Sequence, residues 1–485
     1  MQKSAEETIE QGWARNVLKR YGTVLGIICA FVLMALVSGS YLDFSYLETG
    51  AEFPGGFAWL IEHFWPDEQA YGQLGRIWQA LFTTLLDAIA AGTLAAVVGF
   101  ILAVIGSRVT GFGGIVQLVI RAFATVLRNI PTVAWGFLLL FSFKQAEFTG
   151  FLALFFKGLG FLTRAMMETI DETGREAIEA LEATGATRVQ IVFRGVFPLV
   201  RAQLMSWVLY TIETNFRDAT LVGMLTGTGI GFVFNWYYRT FKYPTAGLVI
   251  ICIAITVLAV ELVSNYLRRR IDRPDGRCMP LRHRRDGSVR VSVPAKSRLL
   301  IEALALALAL LTLFTFIQMD FGHADLAKAT GNFFKYLGIM FLQPHLQHYT
   351  LQEMLDGLAV TLSIAALTTF GGTVIALVLS VLAASNLTNR TLSYLIKLFM
   401  ALIRSVPTIV WALVFTVAIG LGPEAAVVGM MFHTVSFLTK SFSEAFEAVD
   451  PDALDALKST GSTWWQRVFC GVFSEKFSEM VSWIF

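Results

Sequence analysis

Charged side chains are scarce in this sequence. Asp, Glu, Lys and Arg make up 15% of the 485 residues, against roughly 25% in an average soluble chain. Hydrophobic residues account for 55%, and the mean hydropathy is +0.62. This composition excludes an ordinary soluble domain and indicates a protein whose solvent is the lipid bilayer.

Further shortages exclude other classes of function. With 38 Lys and Arg against 36 Asp and Glu, the net charge is only +2, so nucleic acid is not an expected partner. No Gly-Lys dipeptide occurs, and the phosphate-binding loop G-x4-G-K-[ST] is therefore impossible. The four cysteines predict neither a disulfide nor a metal site, and we interpret His323, His345 and His348 as solvated loop residues. We predict no catalytic residues, no metal and no cofactor on this chain.

Ten apolar stretches are long enough to cross a bilayer, which needs about 20 residues per helix. Six precede a polar linker and four follow it, before an apolar stub at Phe477–Phe485. We predict an all-α integral membrane protein with ten full transmembrane helices and a C-terminal helix fragment. The stretches are Val24–Val37, Ile77–Ile105, Ile115–Phe143, Phe148–Met167, Leu199–Met224, Pro244–Val263, Leu299–Met319, Leu355–Leu382, Leu392–Ile419 and Glu424–Phe442.

Basic residues orient these spans. The linker Arg268–Arg298 carries eleven Lys or Arg and three Asp or Glu, and the N-terminus before the first span is basic as well. Because short cytoplasmic loops are enriched in Lys and Arg, we expect both segments in the cytoplasm. Counting crossings then places Ile170–Pro198 in the cytoplasm, and Tyr41–Arg76 and His323–Gln352 outside.

The chain contains an internal repeat at a shift of 276 residues. Arg128-Asn-Ile-Pro131 aligns with Arg404-Ser-Val-Pro407, and between residues 128 and 207 there are 23 identities in 80 gapless pairs. Six crossings separate a loop from its copy, and this even number makes the repeat parallel. We predict a first module over residues 1–267, a basic cytoplasmic linker over 268–298 and a second module over 299–485.

The second copy is shorter than the first. Residue 485 corresponds to Leu209, so the second copy has no counterpart of the stretch from Tyr210 to about Arg270. The chain also ends on an apolar residue, without the polar flank usual after a membrane span. We expect a truncated second module or an incomplete sequence.

Each copy carries a polar loop on the predicted cytoplasmic side. The first loop predicts a helix over Glu176–Gln190 with a break at Gly185. An ordinary interfacial helix would explain either loop alone, but not a gapless pair of them. The matching residues are Glu179, Ala180, Leu181 and Gly185 in the first copy and Asp455, Ala456, Leu457 and Gly461 in the second.

This spacing, with Phe197-Pro198 twelve residues beyond the Gly, resembles the EAA loop of ABC-importer permeases, although Ser474 replaces the Pro in the second copy. Further stretches resemble the phosphonate-importer permeases of the PhnE type. They are Glu179–Phe197, Glu213–Met224 with Gly227-Thr-Gly-Ile-Gly231, and the run from Gly420-Leu-Gly-Pro423 through His433 to Ser443-Glu-Ala-Phe-Glu-Ala.

The resemblance implies two fused permease modules of a type I importer in the bacterial inner membrane. It further implies that an ABC ATPase dimer, which carries ATP and Mg, docks on the two loops. An external binding protein would deliver a phosphonate, and related systems take phosphate or phosphite.

Charged residues inside spans are candidates for the substrate path because they are costly there. Arg128 and Arg404 occupy matched positions, and a guanidinium suits phosphorus oxyanions. A structural role, pairing with a carbonyl or carboxylate, explains them equally well. Glu213 and Arg217 are further path candidates, but together with Asp218 they also fit a self-neutralising cluster. We interpret Gly227–Gly231 as a turn or a close helix approach.

Two other classes of function stay open. An ion-coupled secondary transporter can also be built from parallel repeats, but it needs no paired cytoplasmic loops. An integral-membrane enzyme should gather titratable residues in a cavity, and the spans contain none beyond those named.

Overall fold

The computed structural model describes residues 22, 25–173, 175–271, 281–283, 289–291, 295–321, 325–343 and 349–484. These residues are helical apart from short connections and one hairpin, in which β1 (Leu281–His283) pairs antiparallel with β2 (Val289–Val291). The all-α prediction is therefore confirmed. The predicted site residue Ala180 lies on a helix, but its side chain is outside the described set, as are His323, His345 and His348.

The chain divides into two compact units. One comprises residues 63–344, and the other, here called the discontinuous unit, comprises residues 1–62 and 345–485. The helices of the 63–344 unit are α3 (Glu68–Tyr71), α4 (Leu74–Gly106), α5 (Gly114–Asn129), α6 (Thr132–Phe143), α7 (Glu147–Thr173), α8 (Arg175–Ala183), α9 (Arg188–Gln190), a π-helical segment (Ile191–Val196), α10 (Phe197–Thr226), α11 (Gly229–Arg239), α12 (Tyr243–Ile271), α13 (Ala295–Gln318) and α14 (Leu326–Leu342). Those of the discontinuous unit are α1 (Leu25–Leu42), α2 (Tyr46–Phe64), α15 (Leu351–Ala383), α16 (Arg390–Ser405), α17 (Thr408–Ile419), α18 (Pro423–Glu447), α19 (Pro451–Ser459), α20 (Trp464–Gln466), a π-helical segment (Arg467–Phe473) and α21 (Ser474–Ile484).

The repeat is visible in the helix boundaries. A shift of 276 residues carries both ends of α5, α6, α8 and α9 onto the ends of α16, α17, α19 and α20, as from Gly114 to Arg390. Even the π-helical segments fall at matching places. The duplication predicted from the sequence is therefore also a duplication of backbone structure.

Eight helices of the described residues are long and apolar enough to cross a membrane, and two bent helix pairs raise the number to ten if each pair is one span. The bent pairs are the predicted spans Ile115–Phe143 and Leu392–Ile419. The first bends by 94° between α5 and α6, and the second by 86° between α16 and α17. Because Pro131 and Pro407 have no N–H to donate, the preceding helix ends two residues before each proline, α5 at Asn129 and α16 at Ser405.

Small side chains bring the core helices of the 63–344 unit together. The buried face of α4 includes Ala88, Ala91 and Ala95, each with no exposed surface. A Cβ atom on Gly99 would lie 3.3 Å from the backbone nitrogen of Thr163 on α7. Small residues allow the backbones of membrane helices to approach closely, and α4 and α7 therefore form the centre of this unit.

The compact units do not coincide with the tandem modules predicted from the sequence. In the 63–344 unit, α13 packs on the first repeat through Phe316, whose ring centroid lies 5.1 Å from that of Phe151 on α7. In the discontinuous unit, Phe31 of α1 packs against Phe370 of α15. The N-terminal helix of each module therefore lies in the unit that holds the other repeat. The boundaries at 267/268 and 298/299 describe the repeat and remain a prediction.

Besides the four-residue α3, two helices lie in segments predicted as external loops. These are α2, within Tyr41–Arg76, and α14, within His323–Gln352. In the 63–344 unit, Phe333 of α14 stacks on Phe156 of α7 at 6.0 Å between ring centroids. Both helices are too short or too polar to count as spans by length and composition, which is why the hydropathy of the sequence did not reveal them.

Candidate functional site

The first polar loop forms a helix, a left-handed turn and a second helix start. Helix α8 ends at Ala183, and Gly185 adopts φ +76, a conformation that favours glycine. The N–H of Ala186 then donates to the carbonyl of Leu181 at 3.2 Å and so closes the end of α8. The predicted helix over Glu176–Gln190 with its break at Gly185 therefore matches the structure.

Leu181 explains the spacing within this loop. A Cβ atom on Gly195 would lie 2.5 Å from Leu181 Cδ1, so the leucine packs over a position that has no room for a larger residue. In the second copy, a Cβ on Gly471 would lie 2.9 Å from Leu457 Cδ1. The contact of Leu181 with Gly195 thus holds α8 against the π-helical segment that follows. The contact of Leu457 with Gly471 does the same for α19.

Matched hydrogen bonds fix each loop to its surroundings. Thr187 and Gln190 form a reciprocal capping box at α9, and Thr463 and Gln466 form its counterpart at α20. The side chains at positions 188 and 464 both donate to the connection between two spans. Arg188 bonds the carbonyl of Gly111 at 3.2 Å and Trp464 that of Leu387 at 2.9 Å, and these acceptors are also related by the 276-residue shift.

The outward side of both short helices is exposed. Glu179 and Gly185 in the first loop and Asp455 and Gly461 in the second are exposed. Their buried anchors are Ile178 and Leu454. A helix anchored on one side and exposed on the other is suited to transmit a push or pull from a bound protein.

Arg128 and Arg404 occupy equivalent positions in the last turns of α5 and α16, immediately before the bends. Arg128 is exposed and borders a cavity of about 500 Å³, and Arg404 is half-buried. Both bends have the same stabilising bond: Trp135 Nε1 donates to the carbonyl of Leu127 and Trp411 Nε1 to that of Ile403, at 3.5 and 3.1 Å.

The cavity beside Arg128 is polar and belongs to α5, α7 and α10. Arg164 Nε bonds Glu168 at 2.7 Å, and Trp207 Nε1 donates to Thr169 Oγ1 at 3.1 Å. Two guanidinium groups therefore border this cavity, together with the carboxylates of Glu168 and Glu172. The cavity is a polar space lined by charges of both signs.

A charged face on α7 was not predicted from the sequence. From residue 158 to 170 only Phe161, Arg164 and Glu168 are not buried, and Lys157 and Glu172 extend the same face at both ends. Their spacings of three and four residues place them in one row. Charged side chains within spans normally face water or protein rather than lipid.

The second copy has the same row on α18. From residue 435 to 446 only Phe437, Lys440 and Glu444 are not buried, and His433 stands where Lys157 stands in the first copy. The ring centroids of Phe437 and Trp483 lie 6.0 Å apart, and those of Phe161 and Trp207 lie 5.8 Å apart. A charged row repeated at the 276-residue shift was readable from the sequence.

Glu213 and Arg217, the other path candidates, lie in a buried ionic network. Arg217 donates to Glu213 at 2.9 Å and to Glu261 at 3.2 Å, and Arg268 donates to the second oxygen of Glu213 at 3.1 Å. Two acids and two bases leave the network without net charge. It links α10 to α12, an arrangement that favours the self-neutralising interpretation.

Asp218 is not in that network. Its carboxylate accepts hydrogen bonds from Lys157 on α7 and, at 3.2 Å, from the hydroxyl of Thr132 at the start of α6. The side chains of Lys157 and Asp218 are 32% and 29% exposed. The acid on α10 therefore pairs with the charged face of α7, a pairing that was not predicted from the sequence.

Gly227–Gly231 forms a turn and a close helix approach, as interpreted from the sequence. Gly227 adopts φ +73 at the end of α10, and a Cβ atom on Gly231 would overlap the carbonyl oxygen of Thr220. The glycines thus allow α11 to fold back against α10.

Comparison with known proteins finds one family in both repeats of the chain. Residues 95–274 and 376–473 match the family model of the binding-protein-dependent transport system inner membrane component. A phosphate-import permease protein, PhnE, of Mycolicibacterium smegmatis is 28% identical over 84% of this chain and 73% of its own length. The phosphite transport system permease protein PtxC of Stutzerimonas stutzeri is 28% identical over 54% of this chain and 94% of its own length.

A shorter relative and a solved structure also match. A putative cryptic phosphonate transport system permease protein, PhnE2, of Escherichia coli K12 is 33% identical over 24% of this chain and 97% of its own length. The inward-facing MetNI methionine ABC transporter covers 43% of this chain and all of its own, at 20% identity and a TM-score of 0.37.

Together the two matched regions span more than half of the chain. A protein of this family is a transport permease that crosses the inner membrane several times. It works with an ATPase and a substrate-binding protein. The chain belongs to the family of binding-protein-dependent transport system inner membrane components.

Proposed function

We propose that this chain is the permease of an ATP-driven importer of phosphorus oxyanions: phosphonate, phosphate or phosphite. A binding protein outside the membrane delivers the anion, and an ABC ATPase dimer on the cytoplasmic side drives the transport cycle. The observation that carries the proposal is the pair of loops at α8 and α19, with the same Leu-on-Gly contact, the same capping box and the same anchoring bond.

The substrate class is supported by the charge inside the membrane segments. Relatives named for phosphate, phosphite and phosphonate transport differ in substrate but share its chemistry, a tetrahedral phosphorus with anionic oxygens. The row on α7 and the cavity beside Arg128 supply cationic side chains to such an anion. We propose that Arg128 and Arg404 contact it in transit, since guanidinium groups bind such oxygens through several donors.

The proposed orientation places the N-terminus and Arg268–Arg298 in the cytoplasm. It follows from the excess of Lys and Arg in these segments. The loops at α8 and α19 then meet the ATPase subunits, where ATP and Mg are bound, and the opposite side meets the binding protein.

Reconstitution tests this function directly. The chain should be co-purified with an ABC ATPase and a substrate-binding protein from the same organism, and the complex placed in proteoliposomes. We expect uptake of labelled phosphate, phosphite or methylphosphonate that requires ATP and the binding protein and persists when ionophores abolish ion gradients. Uptake that follows an ion gradient without ATP would contradict the proposal.

A further inference from the structure

The ion pair between Lys157 and Asp218 lies well inside two of the predicted spans. Lys157 is the eleventh residue of α7 and lies about 15 Å from its start at 1.5 Å per residue. Asp218 lies eight residues, about 12 Å, before the end of α10. Both residues therefore lie more than two helical turns from the nearer end of their helix, deep in a hydrocarbon core about 30 Å thick.

Its exposure distinguishes this pair from the buried network around Glu213. About 30% of each side chain is exposed, whereas the side chain of Glu213 in the neutral network is only 6% exposed. An exposed charge in the middle of a bilayer is costly in contact with lipid. The pair therefore faces water or polar protein groups, on the same row of α7 as Phe161 and Arg164.

Asp218 holds the hydrogen-bond donors that an oxyanion would need. One carboxylate oxygen accepts both from the Lys157 ammonium and from the Thr132 hydroxyl. A phosphorus oxyanion presents the same kind of acceptor, an oxygen with negative charge, to the same donors. Lysine suits an exchange of partners because its ammonium is a compact charge with three donors on a flexible stem.

We propose that Asp218 is a resident counter-anion, which a phosphorus oxyanion displaces from Lys157 and Thr132 on its way through the first module. This inference rests on the proposed function and adds its specificity-determining residues. Without substrate, the carboxylate neutralises Lys157 and lowers the cost of a charge inside the membrane. When the anion moves on, the return of Asp218 to Lys157 aids its release, so the binding is weak and transient.

The repeat supports a transport role for this position. His433 occupies the place of Lys157 in the second copy, and Thr408 occupies that of Thr132. Both copies therefore place a basic side chain on the fourth span and a hydroxyl at the start of the helix that follows the bend. Packing alone does not require a basic residue at two such places.

The first test is a neutral pair, Lys157→Gln with Asp218→Asn, in the reconstituted complex. Both residues keep hydrogen-bonding groups of similar size, so a structural bond between α7 and α10 can persist. Because the oxyanion then loses its hydrogen bond to the charged Lys157 ammonium, we expect maximal uptake to fall by about tenfold or more. Basal ATP hydrolysis should be unchanged.

A matched control is Arg121→Gln with Asp171→Asn. This ion pair has 29% and 18% side-chain exposure, and it too links a neighbouring helix to α7. It lies fourteen residues, about 21 Å along α7, from Lys157, so uptake per assembled complex should stay near that of the parent protein. If the Lys157 and Asp218 variant retains full uptake, the pair is structural and the inference is wrong. If the parent protein itself imports no phosphorus oxyanion, the proposed function fails instead.

A second measurement does not depend on the neutral pair folding. In a chain without its native cysteines, Lys157→Cys is treated with aminoethyl methanethiosulfonate, which attaches an amine similar to that of lysine. We expect the attached amine to restore uptake. In complexes arrested before ATP hydrolysis, we expect methylphosphonate to slow the reaction of the cysteine with the reagent. A cysteine that the reagent does not reach, or that methylphosphonate does not protect, would overturn the inference.

Discussion

Leu181 Cδ1 lies 2.5 Å from the point that a Cβ atom on Gly195 would occupy, and the same relationship links Leu457 to Gly471 at 2.9 Å. The contact joins the short exposed helix of each loop to the segment that leads into the next span. It offers a direct mechanical connection between a protein bound at the loop and the membrane helices.

We therefore expect Gly195→Ala to weaken coupling. The added methyl group overlaps Leu181, and overpacking of this kind costs about 1–3 kcal/mol. We expect α8 to move away and so relieve the overlap. ATP-driven uptake should fall, while the amount of chain in the membrane stays the same. Adding Leu181→Ala should restore uptake by making room. If Gly195→Ala transports normally, the contact is not part of the coupling.

Cysteine cross-linking tests where the ATPase docks. Gly185 and Gly461 both have φ +76, so a cysteine there is strained, and the exposed, equivalent Glu182 and Lys458 are better positions. Each should cross-link to a cysteine on the ATPase surface in the assembled complex. Glu68→Cys, on the side predicted to be external, is the control that should not react. Failure of both loop positions in an intact complex would refute the coupling assignment.

Local patterns carried most of the correct predictions. Apolar runs revealed eight unbroken spans, and the gapless repeat revealed the modules and the helix–Gly–helix loops, because these features depend on neighbours along the chain. The bends at Pro131 and Pro407 were hidden inside apolar stretches, since hydropathy does not report helix direction.

Tertiary relationships were beyond the sequence. The packing of α13 with the first repeat brings together positions far apart in the chain, such as Thr315 Oγ1 and the carbonyl of Leu86 at 3.4 Å. For the same reason Asp218 was grouped with its sequence neighbours Glu213 and Arg217, although its partner is Lys157. A helical-wheel view of the fourth span would have found the charged row, but not that acid.

The proposed topology predicts which loops an impermeant thiol reagent reaches. With native cysteines replaced, Ser288→Cys in the basic linker should stay unlabelled in intact cells and become labelled after permeabilisation. Glu68→Cys should be labelled in both conditions. Labelling of Ser288→Cys in intact cells would reverse the assigned orientation.

The ionic network around Glu213 should act on stability. Glu213→Gln leaves Arg217 and Arg268 with excess positive charge in a buried place, and breaking a buried pair costs about 3–5 kcal/mol. We expect a lower melting temperature of the detergent-purified complex and near-normal uptake per folded complex. Arg298→Gln, in the exposed Arg298–Glu302 pair, should change the melting temperature little. A stable variant with defective uptake would instead place Glu213 in the substrate path.

The matched arginines Arg128 and Arg404 provide the test of the oxyanion path. Replacing both with Gln removes two positive charges but keeps hydrogen-bonding side chains of moderate size, so assembly and basal ATP hydrolysis should persist. Uptake at saturating binding protein should fall, because the anion would lose its compensation for leaving water. Replacing both with Lys keeps the charge and loses the planar donor fork, and it should give intermediate uptake. Each single Gln variant should lose less uptake than the double variant if both arginines contact the same anion. Full uptake by the double Gln variant would assign both arginines to a structural role at the helix bends.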